Sequence, residues 1–333
     1  MRVAIVRLTA MGDVIHTLAS IQFIKAENPD THITWFVEEK FAEILRHNPD
    51  IDTIVPVNLH QLKKSPSLSH LKTIIDTVQE AGPFDLVIDV QGLIKSAILA
   101  RVAGENVAGL DRKSAKEGIA TLLYRHTYPV DCAEIAPYRF ASLLAQALNL
   151  TITKEMLLHK EPYLYCQIDE ACRSIEPFFS DQKKNIVIVT AASNASKTYP
   201  PEKFAELAHH LKEHNLLLIA GSEAERHSAR IIEEHSSAKL LPPMNLNTLK
   251  YAIFKADLLI GGDTGPSHMA WAMNRPSILL FGSTPKSMMM ETPINLAITS
   301  GAKVHPCRFD KSDRSIATIP PEKIAQTVQK VLA

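Results

Sequence analysis

The sequence lacks a net charge: thirty-six lysines and arginines offset thirty-six aspartates and glutamates over 333 residues. That balance removes any argument from global charge for a nucleic-acid or anionic-membrane partner, leaving only local basic patches. The four cysteines, Cys132, Cys166, Cys172 and Cys307, form no CxxC pair, and no secretory leader precedes the first apolar run, so a reduced, cytosolic protein is expected. No apolar run approaches the roughly 18 residues of a transmembrane helix, which makes any membrane contact a peripheral one. Several catalytic signatures are missing as well. No G-x-G-x-x-G follows the first strand of either half, and the P-loop string is absent. Neither H-E-x-x-H nor clustered cysteine and histidine spacing suggests zinc, and no G-x-S-x-G suggests a hydrolase nucleophile. The chemistry is left to carboxylates, cations and backbone amides.

With 46% hydrophobic residues the chain can bury two ordinary cores, and its length favours two domains. Short apolar runs at residues 3–8, 33–37, 54–57 and 84–90 read as strands separated by helical patterns, and the series resumes at 185–190, 216–220, 239–241, 256–260 and 277–281. Strands without strict polar alternation, separated by helices, imply parallel sheets covered on both faces. The expected class is therefore α/β, with doubly wound halves. Residues 151–181 are less periodic and hold the boundary, which divides the chain into a domain at 1–170, a second at 171–318, and a C-terminal helix within 319–333 able to pack across the domains.

Strand-to-helix loops lie at the carboxyl ends of the strands, where open parallel sheets bind ligands. The first such loop, TAMGD, ends in Asp13, which reads either as a helix N-cap or as a functional carboxylate; His16, one turn on, reads as a helix-surface residue. Lys197 lies in the loop AASNASKTYPPEKF, where a cation suits a phosphate although a lone loop lysine is usually solvated. Glu223 follows a strand and a glycine, a place from which a carboxylate accepts ribose hydroxyls or caps a helix. The string IGGDTGPSH, residues 260–268, faces a helix N-terminus, whose unpaired N–H groups suit an anion, and its glycines let a phosphate approach the main chain. Asp263 repels phosphate, so its roles are to cap the helix, accept sugar hydroxyls or hold a cation. Two basic clusters, Lys63 with Lys64 and Arg112 with Lys113 and Lys116, are solvated surface or contacts for an anionic acceptor.

Taken together, TAMGDVIHTL, VIDVQGLIKSA and GGDTGPSHMAWAMNRPSILLFGST resemble the ADP-heptose lipopolysaccharide heptosyltransferases of glycosyltransferase family 9 over nearly the whole chain, with the middle segment favouring the type I branch over type II. The resemblance implies a GT-B fold of two facing Rossmann-like domains with parallel sheets, the first for the acceptor and the second for the nucleotide sugar. It implies transfer of L-glycero-D-manno-heptose from ADP-L-glycero-β-D-manno-heptose to the Kdo residue of Kdo-lipid A, with inversion, in building the lipopolysaccharide inner core. Asp13 would be the general base. Ala192, Ser193, Lys197, Glu223, Met244, Asp263, Thr264, Gly265 and His268 would bind the donor, and Lys63, Lys64, Arg112, Lys113 and Lys116 the acceptor. No cofactor is required by that scheme, although Asp263 beside a diphosphate leaves room for magnesium. The lipid-linked acceptor implies peripheral contact with the cytoplasmic face of the inner membrane, and no nucleic-acid partner. Ala192 and Ser193 stand where type I members have two threonines, so Ala192 offers the phosphates only its backbone; Pro266 replaces a larger apolar residue. A type II-like enzyme with a heptose acceptor, or a sugar-nucleotide binding module without catalysis, are the alternative readings.

Overall fold

The computed structural model describes residues 1–190, 192 and 194–333, and the chain divides into two compact units, Met1–Tyr163 and Leu164–Ala333. The division falls at Tyr163 rather than at residue 170. Tyr163 is buried in the first unit, where Asn48 Nδ2 donates to its carbonyl at 2.8 Å. Gln167 exchanges hydrogen bonds with Asn247 at 2.9 and 2.7 Å and so belongs to the second unit.

The first unit contains strands β1 (Arg2–Val6), β2 (His32–Glu38), β3 (Thr53–Val57), β4 (Leu86–Asp89), β5 (Val107–Leu110) and β6 (His126–Tyr128). All pair in parallel, in the order β3-β2-β1-β4-β5-β6. The second unit repeats the plan with β7 (Asn185–Val189), β8 (Asn215–Ile219), β9 (Lys239–Leu240), β10 (Leu258–Gly262), β11 (Ser277–Phe281) and β12 (Asn295–Thr299), in the order β12-β11-β10-β7-β8-β9. The α/β, doubly wound class expected from the sequence is thus present twice. The strands β5, β6 and β12 escape the periodicity: β5 is four residues long and contains a glycine, while β6 and β12 are partly polar edge strands.

Each central strand is apolar because helices cover both faces of its sheet. Ile5 of β1 lies opposite Trp35 and Ile88, and Ile260 of β10 lies opposite Ile188 and Ile278. Double coverage also buries His16: the helix Met11–Leu18 packs against both the helix Ala136–Leu148 and the helix Ala42–Leu45, so no face of it is the solvated one expected for His16. The C-terminal helix Pro321–Leu332 packs against the helix Pro201–His210 and places Ile324, Ala325 and Val328 in the core of the second unit. Cys166 and Cys172 are free thiols. Among the described residues no helix is long and apolar enough to cross a membrane.

In both sheets the strand order reverses beside the first strand, between β1 and β4 and between β7 and β10. The loops leaving those strands diverge to opposite faces and open a crevice at the carboxyl edge, the usual ligand position of such a sheet. Close approach of two of these loops explains a glycine: a Cβ on Gly262, at the end of β10, would stand 2.3 Å from the carbonyl oxygen of Lys197 in the loop after β7. Gly262→Ala should therefore destabilise the protein by about 1–3 kcal/mol through overpacking, read as a lower urea midpoint. A wild-type midpoint would mean that the Lys197 loop is free to retreat.

Candidate active site

The crevice of the first unit is built on a buried arginine. Arg7 immediately follows β1 and is 5% exposed, so its charge requires a partner. One guanidinium nitrogen, Nη1, donates to the Val90 carbonyl at 2.8 Å, Nη2 pairs with Asp13 Oδ2, and the guanidinium carbon lies 4.5 Å from the centre of the Phe140 ring. Asp13 occupies the third helical position rather than the N-cap, which is Ala10. Its Oδ2 accepts a long bond from the Ala10 amide at 3.4 Å, and an alanine cap cannot return one. The N-cap reading of Asp13 is therefore replaced by an anchored carboxylate: Oδ2 is held, while Oδ1 has no bonding partner among the described residues and the side chain is 30% exposed.

The loop after β4 holds that arrangement in place. Gln91 Oε1 accepts from the amides of Leu8 and Thr9 at 2.8 and 3.1 Å, tying the loop after β1 to the loop after β4. Asp89 fixes Gln91 in turn, accepting from the amides of Gln91 and Gly92 at 2.8 and 3.3 Å and from the hydroxyls of Ser96 and Tyr124 at 2.8 and 2.7 Å. Burial pushes the Asp89 carboxyl above its usual range, and these four hydrogen bonds offset the shift only in part. The sequence reading missed Arg7, Asp89 and Gln91 as organisers. The available signal was a charge adjoining each of two otherwise apolar strands.

The five acceptor candidates are all exposed. Lys63 and Lys64 occupy the last turn of the helix Leu59–Lys64. Arg112, Lys113 and Lys116 lie in the loop after β5, braced by the Ser114 amide on Asp111 Oδ1 at 2.8 Å and by the Glu117 amide on the Gly92 carbonyl at 3.1 Å. None of the five makes an ion pair among the described residues, and none touches Asp13, whose cation is Arg7.

In the second unit the crevice centres on Asp263, which follows β10 and is 4% exposed. Lys197 Nζ donates to Asp263 Oδ2 at 2.6 Å, and His268 Nε2 lies 3.0 Å from Oδ1. Lys197 comes from the 3-10 turn Ala195–Lys197 after β7 and His268 from the helix Gly265–Ala272 after β10. Lys197, 66 residues from Asp263 in sequence, thus joins Asp263 and His268 at one switch point. Burial raises the affinity of the Asp263 carboxyl for a proton, but the His268 hydrogen bond and the Lys197 charge outweigh it and hold the group well below the usual carboxylate range. Lys197 also lies 5.0 Å from the centre of the Phe309 ring. The Ser283 hydroxyl donates to the Ser196 carbonyl at 3.0 Å and holds the turn from below.

Three expectations change here. Asp263 does not cap the helix, whose N-cap is Thr264. With one oxygen on the Lys197 ammonium and the other on His268, both oxygens of Asp263 are engaged, and a magnesium ion there would have to displace Lys197; the donor set does not fit magnesium. The glycines before it serve packing: a Cβ on Gly261 would stand 2.7 Å from Ser267 Oγ, as one on Gly262 would strike Lys197. The amides of Thr264 and Gly265 have no acceptor among the described residues and stand at the open N-terminus of the helix. The Ala192 amide donates to Thr198 Oγ1 at 3.2 Å, so it is already engaged. Ser193 lies outside the described residues. Glu223 is exposed and released from capping, because Ser222 and Glu225 form the capping box, with the Gly221 amide also on Glu225 at 2.6 Å. Met244 is half-buried in the loop before the helix Leu246–Lys255.

The sequence model of glycosyltransferase family 9 (heptosyltransferase) matches residues 78–313. The chain is 33% identical to the lipopolysaccharide heptosyltransferase 1 of Campylobacter coli, with 99% of each chain covered. It is also 33% identical to the enzyme of the same name from Pseudomonas aeruginosa, covering 85% of this chain and 79% of that one. Among solved structures, E. coli heptosyltransferase WaaC with ADP superposes at a TM-score of 0.80 and 24% identity, covering 99% of this chain and 100% of that one. The family 9 glycosyltransferase of Veillonella parvula superposes at 0.82 and 18% identity, covering 99% and 97%. The GT-B fold expected from the sequence is the fold of these structures.

The depressed Asp263 titration carries a sign that can be checked. Its contribution to stability is complete above the unfolded value of 3.8 and is lost as pH falls toward the lower folded value. Asp263→Asn should cost about 3 kcal/mol at neutral pH by leaving Lys197 without its carboxylate, and the deficit in urea unfolding should begin to close only below about pH 4. A deficit that closes nearer neutrality would place the titration on His268 instead.

Proposed function

The chain belongs to glycosyltransferase family 9, and from that premise we propose that it transfers L-glycero-D-manno-heptose from ADP-heptose to the Kdo residue of Kdo-lipid A in lipopolysaccharide core synthesis. The observation that carries the mechanism is the Asp13 carboxylate, anchored through Oδ2 on Arg7 and open at Oδ1. Asp13 takes the proton of the attacking Kdo hydroxyl as that oxygen bonds to the anomeric carbon. The bond from the anomeric carbon to the diphosphate breaks on the opposite side, giving one displacement with inversion. The leaving diphosphate needs no protonated acid where its charge is met by the Lys197 ammonium and by the amides of Thr264 and Gly265.

Pairing with Arg7 fixes Asp13 through Oδ2 and leaves its free oxygen as the proton acceptor. Asp263 and His268 orient Lys197 and the start of the helix Gly265–Ala272. Glu223 supplies acceptors for ribose hydroxyls, and Met244 a half-buried apolar contact for the base. The unpaired cations Lys63, Lys64, Arg112, Lys113 and Lys116 meet the carboxylate and phosphates of the acceptor. Because that acceptor is lipid-linked, the enzyme works as a peripheral protein on the cytoplasmic face of the inner membrane.

The direct test is mass spectrometry of the product formed from ADP-L-glycero-β-D-manno-heptose and Kdo-lipid A. Wild-type protein should add one heptose; addition only to an acceptor already carrying heptose would reassign the acceptor. Asp13→Ala should lower kcat by about 10²- to 10⁴-fold with ADP affinity nearly intact, and a loss of only a few fold would end the base assignment. Lys197→Ala should weaken ADP binding about ten- to a hundred-fold in calorimetry, and unchanged affinity together with unchanged rate would remove its phosphate role.

A further inference from the structure

One face of the first unit exposes four large aliphatic side chains on two adjacent elements. The helix Ile94–Ala103 buries Ala97, Leu99, Ala100 and Ala103 against the sheet and turns Ile94 and Ile98 outward, 42% and 52% exposed. Spaced four apart, they lie one above the other on the helix. Packed beside it is the 3-10 helix Gly118–Leu123, joined to the first helix by the Ile94 amide, which donates to Glu117 Oε2 at 2.7 Å. In a 3-10 helix residues three apart eclipse, and the eclipsed pair here is Ile119 and Leu122, 62% and 80% exposed. Two adjacent elements therefore carry apolar rows into solvent. Nothing in the transfer chemistry uses them.

The surrounding charge has one sign in excess. Residues 92–125 hold six cations, Lys95, Arg101, Arg112, Lys113, Lys116 and Arg125, against Glu105, Asp111 and Glu117. All six cations are exposed, whereas Asp111 is taken up by the Ser114 amide and Glu117 by the Ile94 amide. The chain as a whole carries no net charge, so this excess is local.

We propose that the rows Ile94–Ile98 and Ile119–Leu122, with their basic rim, dock the protein on an anionic phospholipid bilayer. Short apolar rows sink to the boundary between headgroups and acyl chains, while lysines and arginines at their edge meet the negative surface. Four aliphatic side chains without a spanning segment give reversible attachment, and each cation strengthens it about five-fold at low salt. The surface deepens the reading of a lipid-linked acceptor and rests on it only for purpose. Its lipid chemistry stands separately, because vesicles contain no acceptor.

The test is co-sedimentation of the full chain with vesicles of phosphatidylethanolamine and phosphatidylglycerol, beside vesicles of phosphatidylcholine alone. Wild-type protein should sediment with the anionic vesicles, not the neutral ones, and should be released by high salt. The double variant Ile119→Ser/Leu122→Ser should bind about ten-fold more weakly, and Lys95→Glu should weaken binding with the apolar rows intact. Equal binding by wild type and the double variant would overturn the proposal, as would no binding by wild type. A wild-type dimer that the double variant dissolves in size exclusion would overturn it too, assigning the rows to a second copy of the chain. Transfer to a water-soluble, de-acylated acceptor should be the same in wild type and double variant. If wild type fails that reaction while still binding vesicles, the function reading falls and the docking surface remains.

Discussion

A parallel strand cannot hydrogen-bond to the next one through a tight turn, because the chain must first return to the starting edge of the sheet. In this protein that constraint operates twice. Every strand in both sheets runs the same way, so each sheet gathers its strand-to-helix loops along one edge. The reversal of order beside β1 and β7 then parts two of those loops. Asp13, Gln91, Lys197 and Asp263 all lie in or just beyond the loops that leave the switch-point strands.

Both crevices solve the same electrostatic problem. Each places a carboxylate next to a low-dielectric sheet, where an isolated charge is costly, and each meets it with a cation held beside it. The outcomes differ by exposure. Asp13 keeps an open oxygen and nearly a third of its side-chain surface, which suits a group that must receive a proton. Asp263 is closed on both oxygens and buried, which suits a group that aims Lys197 and His268. A carboxylate in a motif can be the reactive group or the group that holds another, and the hydrogen bonds around it separate the two.

Much of the fold was legible because the long central strands are continuous apolar runs, such as VAIVRL and NIVIVT, whose period leaves little choice. The strands β6 and β12 were not, since their residues are partly polar and face water in part. Loop position and resemblance to the family pointed to Asp13, Lys197 and Asp263 as candidate site residues. The site was misjudged where two loops meet: Gly261 and Gly262 were read as room for a phosphate, and they are room for Ser267 and for the Lys197 backbone. Glu223 was read as a possible cap, yet Ser222 and Glu225 do the capping.

By itself the sequence determined the class, the duplication of the α/β plan, and the loops at which polar residues collect, because these follow from local period and from strand ends. Only the tertiary structure decided what each polar group touches. Arg7 reaches Asp13 from the end of a strand that reads as apolar, Gln91 crosses 82 residues to hold Thr9, and Lys197 crosses 66 to pair with Asp263. The geometry of a hydrogen bond depends on a few ångströms between segments distant in the chain, and no local pattern encodes that distance.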